Sequence, residues 1–410
     1  MLRLSFQRLA FISILAVFSL IIGLKTSVAI FYLLFSFILA LILLSLACIA
    51  AGYFGAKLEF NRSVITKIEE DDSVEIKMAV TNASFIPLFN LLFEDNLSCA
   101  EPGQMRRTIL IDFLGPGASR SINYSCVCPK RGKFALGPAI IYFFDPFGLF
   151  CFKKVYPAFS DIYVYPRTFP ITKFPPLVKG VLPWFGIETS HTSGDEDEFF
   201  GVRAYKEGDP IKRIHWLSSA RKNALIVKQF QRQNFFRATI IFNLERSRNY
   251  GEGKESVAEY IVRIAASVAK YLINNNVAVE IIAQAGEIVH IPFNKGPEYL
   301  EDVMKFFTVA KPESEVSLIE IFQEHARHVA DSSSLVVIML DKDWEHFSAM
   351  LSLDKRNVCL IPLIVMSSTF NYAFDKKEVI IDAMQKVSRW VNFNPIIFSK
   401  GDRLEEAFLR

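Results

Sequence analysis

Charge is almost absent from one part of this 410-residue chain. Between Leu9 and Phe54 the only charged residue is Lys25, although 22% of all residues are charged. A segment this poor in charge cannot form the surface of a water-soluble domain. The sequence therefore predicts that this part of the chain lies in an apolar environment.

Disulfide-rich proteins and nucleic-acid-binding proteins are also disfavoured. The six cysteines show no framework-like spacing, and Cys48 lies in the apolar segment, so reduced thiols are expected. The net charge of +3, from 46 basic and 43 acidic residues, does not call for a nucleic-acid partner. Cys126 and Cys128 have two interpretations, half of a metal site or two core side chains on one strand face, and the second is favoured.

The apolar segment contains two uncharged runs, 16 residues from Leu9 to Leu24 and 30 residues from Ser27 to Ala56. A bilayer requires roughly 20 residues, and Arg8 and Lys25 can extend the first run by reaching the interface. A cleaved signal peptide is the alternative, but no small-residue cleavage site leads into polar sequence. We expect a hairpin of two transmembrane helices within residues 1–56.

Basic residues flank this hairpin asymmetrically. They precede the first run at Arg3 and Arg8 and follow the second at Lys57, Arg62 and Lys67, with Lys25 alone between the runs. Short cytoplasmic flanks carry an excess of Lys and Arg. Both ends of the chain are therefore expected on the cytoplasmic side.

Residues 57–165 have a hydrophobic period near two, as in the alternating Val74, Ile76, Met78 and Val80. Turn-forming pairs such as Gly137-Pro138 divide the segment into short strands. The pattern predicts an antiparallel β-sandwich-like domain. It contains no convincing catalytic cluster.

Residues 166–232 are predicted to form a proline-rich linker and a mixed polar and aromatic segment, since the density of proline forbids long helices. Residues 233–410 alternate buried strands with amphipathic helices, which is typical of an α/β domain with a mostly parallel sheet. Ligand sites in such sheets lie at the carboxyl ends of strands, here residues 243–247 and 341–343. No glycine-rich phosphate loop follows the first strand, which disfavours nucleotide binding.

The run Gly208-Asp209-Pro210 predicts a helix from Pro210 to about Arg221, with Asp209 as its cap. Trp216 is expected to be a packed ring. The basic residues of this helix are Lys212, Arg213, Arg221 and Lys222.

Two questions about this helix stay open. The basic residues either bind an anion or an acidic partner, or pair locally, with Arg203, Arg213 and Arg221 facing Glu198, Glu207 and Asp209. Local pairing is favoured. His215 is either a general base or a packed, hydrogen-bonded side chain, and the latter is favoured because no nucleophile is evident beside it.

The stretch HTSGDEDEFFGVRAYKEGDPIKRIHWLSSARKNALIVKQFQ closely resembles the signature of a bacterial membrane-protein family catalogued as domain of unknown function 58. A Gly-Asp turn precedes an Arg-x-Ile-x-Trp helix and a Ser-Ala-Arg end. The residues concerned are Glu198, Arg203, Tyr205, Gly208, Asp209, Arg213, His215, Trp216, Ser219 and Arg221. The resemblance extends over nearly the whole chain and implies the bacterial inner membrane as its location.

The resemblance implies a von Willebrand factor A-like, Rossmann-like fold for residues 233–410. Members of that family are commonly encoded beside MoxR-type AAA+ ATPases and transglutaminase-like membrane proteins, so a MoxR-type ATPase is the expected partner and a transglutaminase-like protein a further candidate. Such domains typically bind magnesium through Asp-x-Ser-x-Ser, but this chain has Asn243, Glu245 and Ser247 there, with Asp341 after a later strand. Magnesium is possible but not expected, and no other cofactor is implied.

We therefore expect a membrane-anchored, non-enzymatic interaction or scaffold protein that works with a MoxR-type ATPase in envelope-related assembly or maturation. The alternative is an enzyme at the membrane face that uses His215 with nearby carboxylates or a residual metal site. Fold resemblance alone does not choose between them.

Overall fold

The computed structural model describes residues 2–64, 67–177, 193–194, 198–206, 209, 211–231, 236–325, 334–346, 359–370 and 395–409. It divides the chain into two compact units. The first consists of Met1–Arg167 with Phe307–Val309, and the second of Thr168–Phe306 with Ala310–Arg410.

The first unit begins with two apolar helices, α1 (Leu2–Thr26) and α2 (Ala29–Gly55). Both are long and apolar enough to cross a membrane. Most of their apolar side chains are exposed, among them Phe11 and Phe37. The hydroxyl of Ser19 on α1 donates to the carbonyl of Phe31 on α2 at 2.8 Å, so the helices form a hairpin. The prediction of two apolar helices is confirmed.

Two β-sheets follow, as the period-two pattern predicted. The strands are β1 (Leu58–Val64), β2 (Ile68–Glu69), β3 (Ser73–Asn82), β4 (Leu88–Leu97), β5 (Arg106–Leu114), β6 (Ser119–Val127), β7 (Gly132–Phe144), β8 (Cys151–Tyr156) and β9 (Ser160–Tyr165). One sheet has the order β1-β3-β6 and the other β2-β9-β7-β4-β5, with β8 beside β7. All pairs are antiparallel except β2 with β9.

Alternate side chains of these strands fill one core, in which Val74, Ile76, Met78 and Val80 are at most 1% exposed. An ion pair is buried in the same unit. The Arg62 guanidinium bonds Asp95 at 2.5 Å, and Arg62 Nη1 donates to the carbonyls of Leu136 and Ala158, each at 3.0 Å. The Tyr124 hydroxyl donates to the other oxygen of Asp95.

The second unit holds a small sheet, described with the site below, and a large one. The large sheet contains β13 (Arg237–Asn243), β14 (Ala278–Ala285), β15 (Glu287–Asn294), β16 (Ser334–Leu340), β17 (Cys359–Val365) and β18 (Ile396–Phe398). Its order is β15-β14-β13-β16-β17-β18, parallel except for β15. The prediction of an α/β region with a mostly parallel sheet is confirmed.

The described helices that accompany this sheet are α4 (Val257–Asn274), α5 (Pro297–Val309) and α6 (Leu318–His325). Ser256 caps α4 by accepting the backbone N–H of Glu259 at 3.4 Å. Residues 168–177 lie along α4, where the Phe169 N–H donates to the Ser267 hydroxyl at 3.0 Å and Phe174 stacks on Tyr271 with ring centroids 5.5 Å apart. The start of the proline-rich segment is therefore an extended arm packed on the α/β unit.

Candidate functional site

The signature segment, residues 191–231, contains a small sheet and a short helix. Strands β10 (Ser193–Gly194) and β11 (Glu198–Ala204) each pair antiparallel with β12 (Ile226–Gln231). A 3-10 turn over Ile211–Arg213 and helix α3 (Trp216–Lys222) connect β11 to β12. The continuous helix predicted from Pro210 to Arg221 is therefore wrong.

A hydrogen bond to strand β12 breaks the predicted helix. The backbone N–H of His215 donates to the Ile226 carbonyl at 2.8 Å, which ties this residue to the sheet instead of to the preceding turn. His215 then caps α3, because its Nδ1 accepts the backbone N–H of Ser218 at 3.2 Å. At the other end Asn223 adopts a left-handed conformation, φ 51°, which ends the helix.

Asp209 does not cap that helix, contrary to the sequence prediction. Its two carboxylate oxygens accept from the two terminal nitrogens of Arg203, each at 2.6 Å, and one also accepts the Lys206 N–H at 2.8 Å. The hydrogen bond from Arg203 lowers the pKa of Asp209 to about 2. The favoured local pairing is confirmed for Arg203, which pairs with Asp209.

His215 also lies beside a possible nucleophile. The Ser218 hydroxyl is 2.7 Å from His215 Nδ1, and the neighbouring Ser219 hydroxyl bonds the His215 carbonyl at 3.0 Å and the Ile226 N–H at 2.9 Å. The prediction of a hydrogen-bonded histidine is confirmed, but its premise that no nucleophile lies beside His215 is wrong. Sequence reasoning missed Ser218, although the three-residue spacing from His215 at a helix start was the available signal.

Trp216 is 66% exposed, so the prediction of a packed ring is wrong. It is one of several exposed apolar side chains in this segment, which are Val202, Ile211, Trp216, Leu217 and Leu225. Between Arg203 and Lys228 the sequence has seven Lys or Arg against two Asp or Glu, hence a net charge of +5. This part of the molecule therefore presents apolar groups among basic ones.

The remaining signature residues are less informative about chemistry. The Tyr205 N–H donates to the Leu225 carbonyl at 2.9 Å, Arg213 is half-buried in the 3-10 turn, and Arg221 is exposed on α3. Glu198 begins β11, and Gly208 lies outside the described residues. The predicted partner Glu207 lies outside them as well.

The strand-end cluster, which consists of the predicted metal ligands Asn243, Glu245, Ser247 and Asp341, lies at the carboxyl ends of β13 and β16. Glu245 and Ser247 contact each other there, whereas Asn243 and Asp341 bond other residues. The Glu245 carboxylate accepts from Arg248 Nε at 3.2 Å and from the Ser247 hydroxyl. The same guanidinium bonds Asp343. Burial raises the pKa of Asp343, while the Leu340 N–H and Arg248 lower it.

The other two candidates of this cluster have separate roles. Asp341 accepts the backbone N–H groups of Ser367 at 3.2 Å and Ser368 at 3.1 Å, after β17. The amide nitrogen of Asn243 donates to the Val316 carbonyl at 2.6 Å, while its Oδ1 is buried and accepts no hydrogen bond within the described part of the chain.

These residues do not fit the magnesium ion that the resemblance implies. Magnesium requires several oxygen ligands in near-octahedral geometry. Here the Arg248 guanidinium already supplies a cation to Glu245 and Asp343, so a metal ion would have to displace it. The oxygen of Asn243 alone is a weak and neutral ligand.

Three thiols in the β-sandwich form a second candidate metal centre. Cys99 follows β4, Cys126 lies at the end of β6, and Cys128 follows that strand. Their sulfur atoms lie within 4.8 Å of one another, and Cys99 Sγ is 4.0 Å from Cys126 Sγ. Each residue is at most 3% exposed, and among the described residues no His, Asp or Glu joins them. They pack as small apolar side chains of the core, which agrees with the favoured interpretation of Cys126 and Cys128.

No curated protein matches the chain. Among solved structures, the CARDB domain of a Pyrococcus furiosus protein in complex with di-metal ions is similar, with 13% identity, a TM-score of 0.20, and coverage of 27% of this chain and 93% of that one. The putative ApaA protein of Bordetella pertussis has 9% identity, a TM-score of 0.19, and coverage of 27% and 93%.

A β-glucosidase from Listeria innocua is also similar, with 10% identity, a TM-score of 0.17, and coverage of 27% of this chain and 16% of that one.

The family comparison concerns the second unit. Residues 201–365, which include most of the signature segment and the strand-end cluster, match the family model described as "Protein of unknown function DUF58".

Proposed function

We propose that this chain is a membrane-anchored, non-enzymatic interaction protein whose signature segment binds an acidic surface of a partner protein. Helices α1 and α2 serve as the anchor, in a bacterial inner membrane, with the soluble part in the cytoplasm. The partner proposed from the resemblance is a MoxR-type AAA+ ATPase, and the process is envelope-related assembly or maturation. A transglutaminase-like membrane protein is a further candidate partner.

The observation that carries this proposal is the exposure of large apolar side chains in the signature segment. Ile211, Trp216 and Leu217 are 64–69% exposed, although the burial of such apolar side chains lowers the free energy of a folded protein. Exposed apolar groups surrounded by polar ones mark interaction sites, and tryptophan is enriched among residues that dominate binding energy.

Charge defines the kind of partner. Arg203 is neutralised by Asp209, but Lys212, Arg221 and Lys222 are exposed on the 3-10 turn and α3. A net charge of +5 over residues 203–228 favours association with a negatively charged surface and makes the association rate dependent on salt.

The test is the binding of a purified MoxR-type ATPase to the full chain in lipid nanodiscs. We expect the Lys212→Glu/Lys222→Glu variant and Trp216→Ala each to weaken binding by more than about tenfold, because they remove charge attraction and an apolar anchor. Lys311→Glu, an exposed lysine in the same unit, is the matched control and should change binding by less than about twofold. Equal binding by all variants would overturn the proposal.

Metal chelation provides a second criterion. The surface proposed here contains no residue of the strand-end cluster, so partner binding should survive chelation. Loss of binding in chelator, restored by magnesium, would instead favour a metal-dependent contact.

An enzymatic function is the second candidate, because Ser218 and His215 are within hydrogen-bonding distance. A serine activated by a histidine is the arrangement of many acyl-transfer enzymes, in which a third group orients the histidine. A fluorophosphonate probe tests this directly. Labelling of the full chain that disappears in Ser218→Ala would favour the enzyme, whereas the interaction proposal expects no labelling.

A further inference from the structure

The start of α1 and the turn between β7 and β8 lie at the same height along the axis of α2. The Asp145 carboxylate, in the turn between β7 and β8, accepts the hydroxyl of Ser45 on α2. In the same turn, a Cβ added to Gly148 would lie 3.0 Å from the guanidinium of Arg8 on α1. Arg8, Ser45 and this turn therefore share one level along the helical hairpin.

Helix lengths relate this level to a bilayer. The apolar part of α1, Gln7–Thr26, has 20 residues and is about 30 Å long, which matches the hydrocarbon thickness of a bilayer. Residues 29–45 of α2 span about 25 Å. The level of Arg8 and Ser45 is therefore the expected boundary of the hydrocarbon region on the side of the β-sandwich.

Beyond Ser45, one face of α2 packs against the β-sandwich. Ile49 is 2% exposed in the sandwich core, and the Tyr53 ring contacts Phe143 and Phe152 with centroids 6.1 and 5.7 Å apart. Lys154 Nζ donates to the Tyr53 carbonyl at 3.2 Å. These contacts explain why the uncharged run that contains α2 is longer than a bilayer requires, since its last third covers the sandwich.

Apolar side chains on this side of the sandwich are exposed. Phe147, at the tip of the turn between β7 and β8, is 46% exposed, and Phe152 on β8 is 42% exposed. The turn is well ordered by Asp145, which accepts the N–H groups of Phe147 at 3.0 Å and Phe150 at 2.7 Å. Phe147 therefore presents an aromatic ring at the expected membrane boundary, on a turn that the Asp145 carboxylate holds in place.

We infer that the turn of residues 145–150 rests on the bilayer and inserts Phe147 into its interface. This inference rests on the proposed membrane anchoring and adds a second lipid contact, made by the β-sandwich itself. Phenylalanine is among the apolar residues that interfacial segments bury at the boundary between headgroups and acyl chains, and the adjacent Arg8 suits the phosphate groups of the same zone. The sandwich is then held in a fixed orientation on the membrane instead of hanging from a flexible tether.

The test uses the full chain in nanodiscs, in a background with Cys48, Cys151 and Cys359 replaced by alanine. A cysteine introduced by Phe147→Cys is labelled with an environment-sensitive fluorophore, and quenching by nitroxide-labelled lipids is measured. The matched control is Phe159→Cys, because Phe159 is 60% exposed at the opposite end of β8. Phe37→Cys reports the anchor itself, because Phe37 is 66% exposed and lies midway along residues 29–45 of α2.

We expect strong quenching at positions 37 and 147 and at least about threefold less at position 159, since interfacial residues lie within the reach of the lipid nitroxides. Quenching at 37 without quenching at 147 would overturn the inference and leave the anchor intact. Absence of quenching at both positions would overturn the membrane anchoring on which the inference rests. Equal quenching at 147 and 159 would show that the sandwich has no such fixed orientation, and would also overturn the inference.

Discussion

The buried ion pair of the β-sandwich gives a quantitative prediction. Replacing Arg62 by methionine keeps most of the volume of the side chain but leaves the Asp95 carboxylate without its cation. The side chains of Arg62 and Asp95 are 2% and 0% exposed. Removal of one partner of a buried pair costs about 3–5 kcal/mol, and here two carbonyls also lose a donor.

The three buried thiols of the same unit provide the assay. In a background without Cys48, Cys151 and Cys359, labelling of the remaining cysteines requires opening of the sandwich. If the opened sandwich closes faster than its thiols are labelled, a loss of about 3–5 kcal/mol in unfolding free energy should accelerate labelling by about a hundred- to several thousand-fold. Arg62→Met/Asp95→Asn should be labelled more slowly than Arg62→Met, because no buried charge remains.

The pH dependence of Arg62→Met has a defined sign. Burial raises the pKa of Asp95, while Tyr124 and Arg62 lower it, so loss of Arg62 raises it further. When folding raises the pKa of a carboxyl group, the group contributes stability at pH values below its unfolded pKa of 3.8. This stability is lost as pH rises through the folded-state pKa. The penalty of Arg62→Met should therefore be full at neutral pH and shrink on acidification, measured with a thiol reagent that reacts in acid.

Lys133→Met is the matched control, since the pair of Lys133 with Asp161 lies in the same unit but is about half exposed. Its labelling rate should be close to that of the wild type. An acceleration of less than about tenfold in Arg62→Met would refute the assignment of this pair as an essential buried interaction.

Four further predictions concern the other parts of the chain. Trp216→Ala should change the stability of the full chain by no more than about 0.5 kcal/mol in thermal melts, because the ring is 66% exposed. A large loss of stability would instead support the prediction that the ring is packed. Asp209→Asn should increase hydrogen exchange over residues 203–215. In the wild type, the pair of Asp209 with Arg203 stabilises this segment at pH values above the unfolded pKa of 3.8, and this stabilisation is lost as pH falls through about 2. The wild-type protection from exchange should therefore persist at pH 4. Calorimetry of the full chain should show no micromolar binding of magnesium, and such binding abolished by Ser247→Ala or Asp341→Ala would contradict the fit argument. A reporter fused after Arg410 should be active only in the cytoplasm, and activity on the far side would refute the topology inferred from Lys and Arg.

Local pattern was sufficient for the elements of this protein. Uncharged runs identified two apolar helices, a period of two identified the β-sheets, and continuous apolar runs identified β13 and β16. Each signal depends on which face of an element avoids water, and that is a property of neighbouring residues. The pairing of Arg203 with Asp209 was also accessible, because both residues lie close together in sequence.

The errors arose where a distant segment competes for a backbone group. The helix predicted from Pro210 is interrupted because the His215 N–H bonds Ile226 on β12, and no local propensity contains that contact. Exposure of Trp216 follows from the same rearrangement, since the helix register determines which side chains face the sheet.

Tertiary structure alone decided the partners of the charged groups that pair over long sequence distances. Arg62 and Asp95 are 33 residues apart, and Arg248 and Asp343 are 95 apart, so their pairing depends on strand order. The same holds for Ser45 and Asp145, which join a helix to a hairpin turn 100 residues later. Sequence determines which residues avoid water, whereas the partner of each buried charge is set by which strands and helices become neighbours, because electrostatic and hydrogen-bonding contacts act over only a few ångströms.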